Sequence, residues 1–409
     1  MEDILDSSLD SEELKAVWMA NKEIGGLISE DLIRLVRMRN AEARELGFDN
    51  YHEMSLILKE QDPEEIERVF DELDELTRES YEGVKVEIDD ALARRYNVTV
   101  EQLMPWHYQD RFFQMVPNIY EVDFDKYYAD NDVVALTRDY YAGIGLPIDD
   151  IIGGSDLYEK EGKYQHAYCT DIDREGDVRV VANIKQNSKW MSNTLHEYGH
   201  GVYFKFNDRE LPWTLRTHAH TFTTEAVALM FGRLAYSPAW LQEVVGISNE
   251  EREAIEDSGR MRMRSDELIL SRWMQVMYRF EKSMYEDPEQ DLNKLWWDLV
   301  GEYQLLKRPD GRNEADWASK VHILMSPAYY HNYMLGDLLT SQLYYHICED
   351  VLEEDDCSDI SFAGREEVGK YLIENVFMPG KRYQWNEMIE RATGEKLTAK
   401  YFARQYVSD

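Results

Sequence analysis

The chain has 409 residues and a mass of 48.3 kDa, and 44% of its residues are hydrophobic. This content suffices for a large folded core and excludes a wholly disordered chain, and with only 22 glycines and 10 prolines a collagen-like or turn-rich all-β chain is excluded too. The 81 acidic and 45 basic residues give a net charge of −36, which repels phosphate backbones and anionic membranes. Neither nucleic acid nor a membrane is therefore an expected partner, and the acidity is compatible with a halophilic or a crowded cytosolic source.

The number of cysteines and the length of the apolar segments indicate the cellular location of the protein. No segment approaches the roughly 18 consecutive apolar residues that a membrane-spanning helix needs. The N-terminus is acidic and lacks the basic and then apolar stretches of a secretory signal. The three cysteines, Cys169, Cys348 and Cys357, are too few and too odd in number for a disulfide framework. The sequence therefore predicts a protein of the reducing cytoplasm.

Apolar residues recur at helical spacing through most of the chain. Residues 29–46 predict a helix with Ser29 as its N-cap and Gly47 as its stop signal. A second helix starts at Asp62, which is followed by Pro63 and two acids. Its buried stripe is predicted to consist of Val69, Phe70, Leu73 and Leu76. Further helical segments cover 253–285, 291–306 and 333–353.

Strand signals are rare, and the best of them covers residues 178–183, which are rich in valine and follow a turn-like segment. No internal repeat and no flexible linker divides the chain. We therefore expect a single, mainly α domain over residues 1–409 with a small β-sheet, and a division into two lobes around a deep cleft fits the pattern.

The segment with the clearest chemistry is His196-Glu197-Tyr198-Gly199-His200, an H-E-x-x-H motif that follows the predicted strand. Residues i and i+4 of a helix lie one turn apart on the same face, so both imidazoles can reach one metal ion. Glu197 lies about 100° further round the helix, where it can take a proton from a water molecule that Zn²⁺ activates. The motif predicts a zinc site with Glu197 as general base.

A catalytic zinc site needs a third protein ligand. A predicted helix begins near His220, and Glu225 lies within it, 25 residues after His200. Glu225 is the favoured third ligand, with His218 and His220 as alternatives.

Further segments lie downstream of the motif. Lys320-Val321-His322 is followed by Tyr330-His331-Asn332-Tyr333, and then by Cys348, Cys357, Gly364 and Trp385. With the H-E-x-x-H motif and Glu225, these segments resemble the angiotensin-converting enzyme family of peptidyl-dipeptidases and, more distantly, the thimet oligopeptidase family. The resemblance runs from about residue 30 to the end of the chain.

The resemblance implies a large helical peptidase with a deep cleft, and it implies roles for single residues. His196, His200 and Glu225 hold Zn²⁺, and Glu197 is the base and then the proton donor. His322 and Tyr333 stabilise the oxyanion, while Lys320 and Tyr330 bind the C-terminal carboxylate of the peptide. The strand 178–183, including Ala182, pairs with the peptide. The family also has a disulfide at the place of Cys348 and Cys357. It has N-terminal helices that roof the cleft, and we expect these helices to be absent from this chain.

The sequence thus predicts a zinc peptidase that acts on short peptides and releases C-terminal dipeptides. One alternative is an oligoendopeptidase that cuts internal bonds, and another is an inactive peptide-binding protein of the same fold. Peptides are the expected partners in each case. The natural substrate, the oligomeric state and chloride dependence do not follow from the sequence.

Overall fold

A computed structural model describes residues 1–120 and 122–407, and it is mainly helical, as predicted. The described helices, in chain order, are α1 (Glu2–Ser7), α2 (Ser11–Glu45), α3 (Tyr51–Leu58), α4 (Pro63–Tyr96), α5 (Val133–Gly143), α6 (Asp149–Gly154), α7 (Ser188–Lys205), α8 (Thr221–Gly232), α9 (Pro238–Trp240), α10 (Asn249–Glu286), α11 (Leu292–Tyr303), α12 (Val321–Met325), α13 (His331–His346), α14 (Glu366–Leu372), α15 (Trp385–Thr393) and α16 (Lys400–Tyr406). The strands are β1 (Tyr168–Asp171) and β2 (Val178–Val181). No described helix is both long and apolar enough to cross a membrane.

The chain forms two compact units, each built from separate segments. Unit 1 comprises Met1–Glu121, Met261–Met334 and Tyr406–Asp409. Unit 2 comprises Val122–Arg260 and Leu335–Gln405. That residues 1–409 form a single catalytic domain stays a prediction.

The two long N-terminal helices of unit 1 agree only in part with the helix starts and buried residues that the sequence predicts. Helix α4 starts as predicted, with the Asp62 side chain accepting the Glu64 amide and Pro63 in the first turn. In its predicted stripe, Val69, Phe70 and Leu73 are fully buried, but Leu76 is 39% exposed, so that part of the prediction is wrong.

Helix α2 begins at Ser11 and not at the predicted N-cap Ser29, which lies inside the helix. Its true cap is Asp10, whose carboxylate accepts the amides of Glu12 and Glu13. Within the helix, a Cβ at position 25 would lie 2.0 Å from the Ala315 carbonyl oxygen, so only glycine fits at Gly25. Gly25 thus serves close packing and does not end the helix.

The small sheet of unit 2 is antiparallel, with Cys169 opposite Val180 and Tyr168 opposite Val181. The other side of β2 is bridged by Asp156, whose amide donates to the Val180 carbonyl at 2.9 Å. Strand β2 is therefore the inner strand. Among the described residues, the outer edge of β1 has no strand partner.

Candidate active site

Two packed helices of unit 2, α7 and α8, carry the candidate metal ligands. The Asn187 side chain caps α7 by accepting the Trp190 amide. A Cβ at Gly199 would lie 2.8 Å from the Cα of Ala228, so a glycine is needed for α8 to approach α7 this closely. The close approach places the side chain of an α8 residue beside the two histidines of α7.

His196, His200 and Glu225 form the site that this packing creates. The two histidine Nε2 atoms lie 3.2 Å apart, and Oε2 of Glu225 lies 3.7 Å from Nε2 of His196 and 3.9 Å from Nε2 of His200. Ligands of one tetrahedral Zn²⁺ at about 2.05 Å are separated by about 3.3 Å, so the three atoms suit a single ion. No other group of three or more His, Cys, Asp or Glu side chains in the described residues meets this spacing.

The two alternative third ligands lie outside this group. His220 is the N-cap of α8, and its Nδ1 accepts the Phe222 amide at 3.4 Å. His218 is buried enough to lower its pKa to about 4, but no ligand atom of His218 joins the triad. The donor set is therefore two imidazoles and one carboxylate, which suits a catalytic zinc site with one position left for water.

Glu197 lies beside the triad and is 8% exposed. Burial, with a smaller contribution from the Glu225 carboxylate, raises the pKa of Glu197 to about 8, while the Cys169 backbone amide donates to its carboxylate and opposes the shift. Burial also raises the pKa of Glu225 to about 7 and lowers that of His196 to about 4. A divalent cation favours ionised carboxylates and neutral imidazoles, so it would compensate the burial of both acids.

Thr224 is a contact of the site that the sequence reasoning missed. Its Oγ1 lies 2.8 Å from Nδ1 of His200, on the ring nitrogen opposite the one that faces the triad. Such a partner fixes the tautomer and the orientation of a metal-binding imidazole. The only signal in the sequence is that Thr224 directly precedes Glu225.

The prediction that Ala182 pairs with a peptide is wrong. The Ala182 amide donates to the Asp156 carbonyl at 2.9 Å, and its carbonyl accepts the ammonium of Lys163. Ala182 is 1% exposed, so it offers no backbone group to a ligand. The strand edge that remains is β1, which contains Cys169, the residue whose amide reaches Glu197.

The other predicted site residues, Lys320, His322, Tyr330 and Tyr333, belong to unit 1 and cluster there. The His322 ring lies 4.9 Å from the Tyr330 ring and 6.5 Å from the Tyr333 ring, and the two tyrosine rings are 5.2 Å apart. The Lys320 ammonium lies 5.2 Å from the Tyr330 ring centre. The side chains of the two short sequence motifs thus lie together in one compact group.

Two further residues hold Lys320 and Tyr330, and neither was predicted. The Lys320 ammonium donates to Oε1 of Gln114 at 2.8 Å, and the indole N–H of Trp273 donates to the Tyr330 hydroxyl at 2.9 Å. Burial lowers the pKa of Lys320 to about 8 and raises that of Tyr330 to about 12. Gln114 and Trp273 come from distant parts of the sequence, so no local spacing could have identified them.

Comparison with known proteins shows to which family the chain belongs. Residues 157–407, more than half of the chain, match the peptidase M2 family model described as angiotensin-converting enzyme. Angiotensin-converting enzyme of Mesocricetus auratus is 23% identical over 267 residues, which cover 63% of this chain and 20% of that protein. Angiotensin-converting enzyme of Sus scrofa is 21% identical over 429 residues, which cover 96% of this chain and 32% of that protein.

A second group of relatives is bacterial and archaeal. Carboxypeptidase 1 of Bacillus subtilis is 25% identical over 266 residues, which cover 58% of this chain and 50% of that protein. The chain thus spans half or less of the length of each of these relatives. The family match includes the metal triad, Glu197 and the group around Tyr333. The chain belongs to the peptidase M2 family, the family of angiotensin-converting enzyme.

Proposed function

We propose that the protein is a zinc-dependent peptidase that releases dipeptides from the C-terminus of short peptides. The observation that carries the proposal is the triad His196, His200 and Glu225, with ligand atoms 3.2 to 3.9 Å apart and Glu197 beside it on the same helix as the two histidines. Family membership and the angiotensin-converting enzyme and carboxypeptidase relatives support peptide hydrolysis.

The chain's own residues would handle the protons of the reaction. Zinc, when bound, lowers the pKa of a water molecule to near 7 and polarises the scissile carbonyl. The Glu197 carboxylate takes the proton of the attacking water and then gives it to the leaving amine. The Cys169 amide holds that carboxylate in place. His322 and Tyr333 would donate hydrogen bonds to the oxyanion, a role that rests on their family positions and on their clustering.

The outer edge of β1 is the proposed place for the peptide backbone. An extended peptide can add to an unpaired strand edge through main-chain hydrogen bonds. Strand β1 has such an edge, and its residue Cys169 reaches Glu197. This replaces the pairing first predicted through Ala182.

The peptide's C-terminal carboxylate is assigned to Lys320 and Tyr330. Lys320 is 8% exposed, and its ammonium lies near three aromatic rings, those of Phe112, Trp273 and Tyr330. A carboxylate would gain a charge-assisted hydrogen bond there, and Gln114 would hold the ammonium in position. Release of dipeptides, rather than internal cleavage, depends on this assignment.

The experiment that tests the proposal is mass spectrometry of the products of a defined decapeptide, with and without a chelator. Successive loss of C-terminal dipeptides that the chelator stops is the expected result. Internal fragments would favour the oligoendopeptidase alternative. Intact peptide in the presence of one zinc per chain would favour the inactive peptide-binding alternative.

We also propose that the protein is cytoplasmic, and the Cys348–Cys357 disulfide is the feature that tests this. The structure joins the two cysteines, which is the pairing that the family resemblance implied. A reducing cytoplasm would keep them as thiols. Mass measurement of the protein after alkylation in fresh lysate is therefore expected to show three modified cysteines. One modified cysteine, corresponding to the unpaired Cys169, would contradict the cytoplasmic location.

A further inference from the structure

The segment between His322 and Tyr333 in unit 1 holds an unusual backbone conformation. Ala328 lies within it, is fully buried and has a φ of +48°, in the left-handed region that a residue with a Cβ seldom adopts. Such a conformation persists only where the surroundings hold it in place. The groups that surround Ala328 therefore bear on how the segment positions its side chains.

An acidic and a basic side chain hold the two polar groups of Ala328. Oε1 of Glu281, on α10, accepts the Ala328 amide at 2.7 Å. The Lys59 ammonium, in the connection between α3 and α4, donates to the Ala328 carbonyl at 3.1 Å. Glu281 is 3% exposed, and burial raises the pKa of its carboxyl to about 8, while the Ala328 amide and the charges of Lys59 and Arg39 oppose this shift. Burying a carboxyl group costs free energy unless hydrogen bonds compensate it. We therefore infer that the contact of Glu281 with Ala328 has a structural role.

A third side chain holds the far end of the segment. Gln61, two residues after Lys59, is 1% exposed. Its Nε2 donates to Oδ1 of Asn332 at 2.8 Å, and its Oε1 lies 2.9 Å from Nε2 of His331. His331 and Asn332 are the two residues that directly precede Tyr333 in α13. The segment is thus fixed at Ala328 and again next to Tyr333.

We propose that Lys59, Gln61 and Glu281 form a clamp that positions Tyr333 for catalysis. The clamp residues act through the backbone of the segment and not on the substrate. The inference rests on the proposed function, because it assumes that Tyr333 stabilises the oxyanion. Oxyanion donors must be preorganised, and a small misplacement of a donor reduces turnover more than it reduces substrate binding.

The test compares kcat and KM of the zinc-loaded full chain for Glu281→Ala, Glu281→Gln and a matched control. The control is Gln275→Ala, which removes another buried hydrogen bond of α10, to the Phe70 carbonyl at 2.6 Å. Glu281→Ala is expected to lower kcat by about tenfold or more with KM within about twofold, since the donor is displaced and not removed. Glu281→Gln keeps an acceptor for the Ala328 amide and is expected to retain kcat within about threefold.

The control separates positioning from stability. Gln275→Ala is expected to lower the urea midpoint as Glu281→Ala does, but to keep kcat within about twofold. Lys59→Met, at a more accessible side chain, is the second variant, and it is expected to lower kcat in the same direction. Wild-type kcat in both Glu281→Ala and Lys59→Met would overturn the clamp, as would an equal loss of kcat in Gln275→Ala.

A double-mutant cycle with Tyr333→Phe identifies the route of the effect. If the clamp acts through Tyr333, Glu281→Ala lowers kcat by no more than about twofold in the Tyr333→Phe background. The same tenfold loss in both backgrounds would overturn the clamp. Wild-type kcat in Tyr333→Phe alone would instead contradict the oxyanion role in the proposed function, so the two failures are distinguishable.

Discussion

At the scale of single residues, the proposed chemistry depends on side chains that directly neighbour the metal triad along α7 and α8. Glu197 follows the ligand His196, and Thr224 precedes the ligand Glu225. The proposed role of Glu197 is proton transfer, and the proposed role of Thr224 is to orient an imidazole. The two roles predict different outcomes for substitutions that remove only one functional group.

Glu197→Gln is expected to keep zinc and fold but to lower kcat by about 10²- to 10⁴-fold, because the amide cannot take the proton of the attacking water. Steady-state kinetics, elemental analysis and a melting curve on one preparation check this. Turnover within about tenfold of the wild type would show that Glu197 is not the base.

Thr224→Val is expected to weaken zinc binding by about 10- to 100-fold, because Nδ1 of His200 loses its partner. Competition with a chromogenic chelator measures the affinity. Thr224→Ser keeps the hydroxyl and is the matched control, with an affinity close to the wild type. Equal affinities for Thr224→Val and Thr224→Ser would show that the hydroxyl does not act on the metal site.

At the scale of elements, a short segment of unit 1 brings an ammonium and a phenol together. Lys320 directly precedes α12, Tyr330 directly precedes α13, and Gln114 comes from a remote loop. The cluster is the part of the proposal that distinguishes removal of a C-terminal dipeptide from internal cleavage.

A C-terminally amidated peptide is therefore expected to lose about 1.5–3 kcal/mol in kcat/KM, the value of a hydrogen bond to a charged group. Lys320→Met should abolish the difference between amidated and free peptides without abolishing turnover, since Glu197 and the zinc ligands remain. Rates for both peptides on both proteins make the comparison. Equal wild-type rates on the two peptides would refute the dipeptidase assignment and leave zinc-dependent hydrolysis intact.

At the scale of the whole molecule, all three proposed zinc ligands lie in unit 2. A metal that binds only the folded state stabilises it by about 4 kcal/mol when its free concentration is 1,000 times its Kd. A chelator is therefore expected to lower the Tm and to raise hydrogen exchange first in α7 and α8.

Exchange measured segment by segment separates the two units. The amides of α2 and α4, in unit 1, are expected to keep their protection when the metal is removed. His200→Ala is the control, because a protein that cannot hold the metal should not respond to the chelator. Equal loss of protection in α4 and α8 would contradict a stabilising effect confined to unit 2.

The sequence by itself determined the helical class, the motif on α7 and the family. These features are local, because helical spacing and i, i+4 ligand pairs need only neighbouring residues. The start of α4 at Asp62 and Pro63 was readable for the same reason. Glu225 was identified from its distance along the chain and the family layout, and the structure places its carboxylate within 3.9 Å of both histidines.

Only the tertiary structure decided features that depend on what packs against a residue. Ser29 is a residue type that favours N-caps, but Asp10 caps the helix, which begins at Ser11 and packs closely against Ala315 at Gly25. Ala182 lies in a strand-like segment, but Asp156 and Lys163 take its backbone groups, which leaves β1 as the edge. Gln114, Thr224 and the clamp residues are far in sequence from the groups they contact, or carry no local signal. Long-range contacts are set by how elements pack, and helical periodicity does not encode which elements meet.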